Sequence, residues 1–141
     1  MKTVDRHPPF ALVWLQRAKV DGAVLERLHR RLLAVEDAVV AWETAEGSEG
    51  KSCMDCHGAA EDMAGVKPVY PKYVESAGEV RTLQMQMNDC RENRMGAEPW
   101  KTDATDALAM EGLLASVSRG MPMNVAIDGP GAETWEMGKE L

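Results

Sequence analysis

Aromatic residues are scarce in this chain: four Trp, two Tyr and one Phe among 141 residues. A close-packed core has little aromatic bulk to draw on, so the ten Met, or a bound apolar group, must fill part of it. Cysteine is scarcer still, at three, which excludes a disulfide-stapled scaffold. With 45% apolar and 28% charged residues, a single domain can build its own core without staples. No run approaches the ~18 apolar residues of a membrane span. Basic residues are outnumbered, 16 against 23 acidic, for a net charge of -7. That balance excludes a nucleic-acid partner, which needs clustered Lys and Arg. Strand-like alternation, internal repeats and low-complexity tracts are missing too, and what remains reads as helix and loop, an all-α chain.

The positive charge gathers at the start. Residues 1–31 carry Lys2, Arg6, Arg17, Lys19, Arg27, Arg30 and Arg31 against Asp5, Asp21 and Glu26, a net +4, which leaves -11 for residues 32–141. We therefore divide the chain into a basic segment, 1–31, and a helical domain, 32–141. The stretch HPPFALVWLQRAKVDG does not make a secretory signal, because Gln16, Arg17 and Lys19 interrupt the apolar run after Leu15. Met1 is thus expected to begin a mature or shortened form, or not to be the native start. His7, before two prolines, belongs in a loop. His29, among Leu25, Leu28 and Leu32 at helical spacing, is expected to be solvated.

Within 32–141, LLAVEDAVVAW predicts a helix and EGSEG a loop. VKPVYPKY cannot be helical throughout, with two prolines. EVRTLQMQMNDC places Val80, Leu83, Met87 and Cys90 on one helical face, and Ala107, Met110, Leu114 and Val117 repeat the spacing in a second helix ended by Gly120 and Pro122. IDGPGAE predicts a turn, and TWEMGKEL stops within an element.

Three of the six Cys and His residues fall in KSCMDCHG. Cys53 and Cys56 are three apart, so one helical turn turns both sulfurs to the same side. There they can form thioethers to the two vinyl groups of one haem, with His57 as proximal iron ligand. A Cys3His zinc site from Cys53, Cys56, Cys90 and a histidine lacks a second closely spaced ligand pair. A redox dithiol belongs beside a βαβ unit, which the pattern does not contain. Haem c, one per chain and covalent, fits best. For the second axial position Met121 and Met123 in RGMPMN compete with Cys90: a thioether raises the reduction potential, and an anionic thiolate lowers it by stabilising ferric iron. Cys90 also reads as an ordinary small core residue, and pattern alone leaves the choice open. Met63, Met85, Met87 and Met95 read as core packing. Arg119 is a candidate partner for a haem propionate, or simply an arginine at a helix C-terminus. Arg91 is a further candidate for a propionate or for the surroundings of the iron ligands, and as a neighbouring cation it is also placed to lower the pKa of Cys90.

GKSCMDCHG, MAGVKPVYPKY, VRTLQMQMNDCRENRMGAEP and SVSRGMPMNVAIDGPG, in this order and spacing, resemble the SoxA family, the c-type cytochrome subunits of the SoxAX complex of bacterial thiosulfate oxidation. The resemblance covers about residues 32–141. It implies a cytochrome c-like domain, the first of the family's two. In that domain an N-x-C-R cysteine is the distal ligand, here Cys90 between Asn88 and Arg91. One departure stands out: family members often carry an arginine four residues before this cysteine, and here Gln86 takes that place. The resemblance further implies a SoxX-type cytochrome partner, the SoxYZ carrier, thiosulfate as substrate and a periplasmic location. The activity implied is that of an L-cysteine S-thiosulfotransferase, whose catalytic haem and modified cysteine belong to the second domain. This chain is accordingly expected to be truncated after the first domain, inactive alone, with Cys90 carrying electrons and no sulfur. A free-standing monohaem carrier with His/Met ligation is the alternative.

Overall fold

The computed structural model describes residues 21–141; the expectations for His7 and for the apolar run broken at Gln16, Arg17 and Lys19 lie outside them. Two compact units divide at Leu33 and Ala34. Helix α1, Gly22–Glu43, starts where the Ala23 amide donates to Asp21 Oδ1 at 2.9 Å, an N-terminal cap. The described turns of the first unit expose Val24, Leu28, Leu32 and His29.

The second unit holds the core. The last turns of α1 bury Ala38 and Trp42, four apart on one face. They meet helix α4, Thr105–Val117, which buries Ala107, Met110, Leu113 and Leu114. The periodicity of α4 was legible, although the helix stops at Val117 with Ser118 as its cap, short of Gly120. Between them come helix α2, Cys53–His57, single 3₁₀ turns at Ala60–Met63 and Lys67–Val69, and helix α3, Leu83–Cys90. A 3₁₀ turn at Gly129–Gly131 leads into α5, Ala132–Lys139. Among the described residues no helix is long and apolar enough to cross a membrane.

The expectation of helix from Glu79 onward is corrected. Strands β1, Lys72–Val74, and β2, Glu79–Arg81, pair antiparallel with Tyr73 opposite Val80. Three residues per strand are too few for alternation to register. Val80 therefore belongs to the hairpin, and α3 begins only after Thr82, whose side chain accepts from the Met85 amide at 3.2 Å.

Past Cys90 the chain widens into a π-helical turn, Arg91–Met95, closed by Gly96 in the left-handed region. Gly47 and Gly96 meet there: a Cβ on Gly47 would lie 2.1 Å from the Met95 carbonyl oxygen, and one on Gly96 2.1 Å from Ser48 Oγ. The approach lets Ser48 N donate to Gly96 O and Glu49 N to Met95 O, each at 3.1 Å. The loop that leads into α2 is thereby fastened to the end of the segment that carries Cys90.

Candidate functional site

Helix α2 is only five residues long, too short to persist on its own propensity, and its N-terminus is closed by a capping box. Ser52 N donates to Asp55 Oδ2 at 2.7 Å and Asp55 N donates to Ser52 Oγ at 3.2 Å. The Ser52 amide, and after it the Ser52 hydroxyl donating to Asp55 Oδ2 at 2.9 Å, hold the Asp55 carboxyl below the usual aspartate range. The second residue of the CxxC spacer thus fixes the turn that brings Cys53 and Cys56 together. At the other end, Trp42 Nε1 donates to Gly58 O at 2.9 Å, and the Trp42 ring stands 6.0 Å from the His57 ring, tilted by 40°. A buried residue of α1 therefore braces the backbone just past the histidine.

Cys53, Cys56 and His57 line a cavity of about 460 Å³, and Cys90 and Arg91 line it from α3 and the π turn. The remaining wall is largely apolar, with Val66, Val69, Leu83, Met87, Met110 and Leu114 among its residues. Its size and character are those of a small-molecule site. All three cysteines are free thiols. Burial, partly opposed by Arg91, pushes the Cys53 thiol up. Burial and then Asp89 push Cys90 up, against Arg94 and the Gln86 side chain. The expectation that Arg91 lowers the Cys90 pKa is therefore corrected: Arg91 acts on Cys53, and Cys90 is no activated surface nucleophile.

Arg119, Met121 and Met123 stand outside the cavity wall and are exposed. Ser118 and Asn124 pin that loop elsewhere: Gly65 N donates to Ser118 Oγ at 3.1 Å and Asn124 N to Pro68 O at 2.9 Å. Met63, Met87 and Met95 line the cavity, whereas Met85 is exposed on α3. Arg91 is occupied: Nε donates to Glu98 O at 2.9 Å, Nη1 meets Glu46 Oε2 at 2.8 Å, and the guanidinium lies 4.0 Å from the Trp100 ring centre.

Sequence reasoning missed Trp42, Tyr70, Lys72, Arg94 and Trp100 as lining residues. Arg94, four residues past Cys90, was within reach of simple helical extrapolation. Lys72 and Trp100 carried no local signal, because a hairpin and an irregular loop deliver them.

The donor set separates the three readings of the CxxCH stretch. Among the described residues no group of three or more His, Cys, Asp or Glu is arranged to hold a metal ion, so the Cys3His zinc site is not formed. Among the described residues the sheet is a two-stranded antiparallel hairpin, so the βαβ setting of a thioredoxin-like dithiol is missing there. Two free thiols and an imidazole on one side of an apolar cavity, with a third sulfur on another element, fit haem.

Residues 37–123 match the family described as SoxA/TsdA, cytochrome c domain. The chain is 56% identical over 111 residues to the L-cysteine S-thiosulfotransferase subunit SoxA of Rhodovulum sulfidophilum, covering 78% of this chain and 39% of that protein. It is 38% identical over 110 residues to the protein of the same name from Paracoccus pantotrophus, covering 78% and 38%. The crystal structure of SoxXA from P. pantotrophus superposes with a TM-score of 0.73 at 38% identity, over 77% of this chain and 41% of that one. The chain thus spans about two fifths of the length of these relatives. With a helical fold built around a CxxCH-lined cavity, the chain belongs to the SoxA/TsdA cytochrome c domain family and is a cytochrome c domain for covalently bound haem c.

Proposed function

We propose that the chain is the electron-carrying haem domain of a SoxA-type L-cysteine S-thiosulfotransferase subunit. In this reading it is periplasmic, pairs with a SoxX-type cytochrome and serves the oxidative coupling of thiosulfate to the SoxYZ carrier cysteine. Cys53 and Cys56 hold the haem through thioethers, and His57 and Cys90 are its axial ligands. The carrying observation is that Cys90 lines the same cavity as the CxxCH segment while Met121 and Met123 do not. Bound there, haem supplies a one-electron relay. The chain's own part is positional. The Ser52–Asp55 box fixes the attachment turn, Trp42 braces the backbone behind His57, and the apolar wall keeps water from the buried edge. Joining a thiosulfate sulfur to a cysteine sulfur releases two electrons and one thiol proton. The sequence holds a single CxxCH, and in this reading Cys90, as the axial ligand of its haem, serves the electrons and leaves sulfur transfer to another site.

Protein made in a host with c-type maturation is expected to keep one haem per chain after denaturation in acid and organic solvent. Cys53→Ala with Cys56→Ala is expected to abolish it. Cys90→Met is expected to retain the haem and raise its midpoint potential, since a neutral thioether stabilises ferric iron less than thiolate does. An unchanged potential means that a methionine is the ligand already. Turnover of thiosulfate on SoxYZ by this chain with SoxX alone, with a sulfur adduct on Cys90 in mass spectrometry, overturns the electron-carrier role.

A further inference from the structure

Gln86 stands four residues before Cys90 on α3, so the two side chains share a helix face. Both line the cavity, and the neighbouring positions of that face are the apolar Leu83 and Met87. Gln86 is the polar exception. Its Oε1 is buried with no hydrogen-bond partner among the described residues. A carboxamide placed so loses hydration without gaining a protein donor for its oxygen, whereas Leu or Met fills the same space without that cost. What the carboxamide adds is a pair of N–H donors. One turn along the same face, in the same cavity wall, the Cys90 sulfur is the acceptor that this placement sets beside those donors.

We propose that Gln86 is a positioning residue for the distal ligand: its amide N–H orients the Cys90 sulfur and limits the charge that the sulfur delivers to the haem iron. This rests on Cys90 being that ligand. An N–H···S bond draws density from a thiolate, so ferric iron is stabilised less than by a bare thiolate and the potential sits higher.

The test uses the haem-loaded chain, with midpoint potential from redox titration and the ferric low-spin spectrum as the thiolate signature. Gln86→Met, of similar length and without a donor, is expected to keep the signature and lower the potential. Gln86→Glu, which has the same outline and no N–H, is expected to lower it too and decides the matter if Gln86→Met loads no haem. Gln86→Arg, a longer donor, is expected to raise the potential again. An unchanged potential in the donorless variants with the thiolate signature intact overturns the proposal and leaves Cys90 ligation standing. Wild-type protein without that signature removes Cys90 as ligand, and the role of Gln86 with it.

Discussion

Arg91 makes three contacts with one planar group, to the Glu46 carboxylate, the Glu98 carbonyl and the Trp100 face, and Asn88 completes the frame. The Asn88 amide donates to Trp100 O at 2.8 Å, and Trp100 N donates to Asn88 Oδ1 at 2.9 Å. The residues that flank Cys90 therefore hold the loop that closes the cavity wall, and this accounts for the N-x-C-R pattern without asking Arg91 to bind a propionate. Asn88→Ala is expected to cost about 2 kcal/mol, at ~1 kcal/mol for each lost hydrogen bond, read as a lower midpoint in urea. Arg91→Lys keeps the charge but loses the planar fork, and about 2 kcal/mol is expected from the same measurement. Haem is expected to remain attached in both variants, because Cys53 and Cys56 are untouched. At this scale the site was half legible. Cys53, Cys56 and His57 announce themselves by local spacing and residue type, whereas pattern alone left Cys90 level with Met121 and Met123, and the partners of Arg91 are set by loop paths that no periodicity encodes.

The helices were readable where an apolar face repeats over several turns, as with Ala107, Met110 and Leu114 in α4. They were misread where a short element intrudes. The hairpin claims Val80. Thr82 is the local punctuation that separates hairpin from α3, and Thr82→Ala is expected to lose about 1 kcal/mol of cap. The glycine pair behind α3 gives a sharper test. Gly47→Ala and Gly96→Ala both force a side chain into a positive-φ position, at φ 73 and 63, for about 1 kcal/mol or more each. Gly47→Ala also meets the rigid Met95 carbonyl, while Gly96→Ala meets Ser48 Oγ, which can rotate away. Gly47→Ala is therefore expected to lower Tm more than Gly96→Ala, and the reverse order counts against backbone contact as the cause.

Across the whole domain, acid stability has an identifiable contributor. Burial alone raises the Glu111 carboxyl, but hydrogen bonds from Lys67 and Gln84 outweigh it and hold the group below the usual glutamate range. That network links α4 to the 67–69 turn and to α3. A carboxyl depressed on folding contributes stability that is complete above its unfolded pKa and lost as the pH falls through the lower folded value. Unfolding free energy is expected to decline with acid across that window, and Glu111→Gln is expected to flatten the decline, seen in urea midpoints measured stepwise from neutral pH downward. The fastening of the 46–51 loop to the end of the π turn reaches further. Ser48 N and Glu49 N bond to Gly96 and Met95, and Ala97 N to Arg91 O at 2.8 Å, so the strip before the CxxCH turn and the strip after Cys90 form one latch. Two lips of a cavity joined in this way cannot breathe separately. In hydrogen–deuterium exchange the amides of Ser48, Glu49 and Ala97 should swap in step, as a single opening unit whose frequency sets how often the CxxCH turn and the Cys90 segment part from one another.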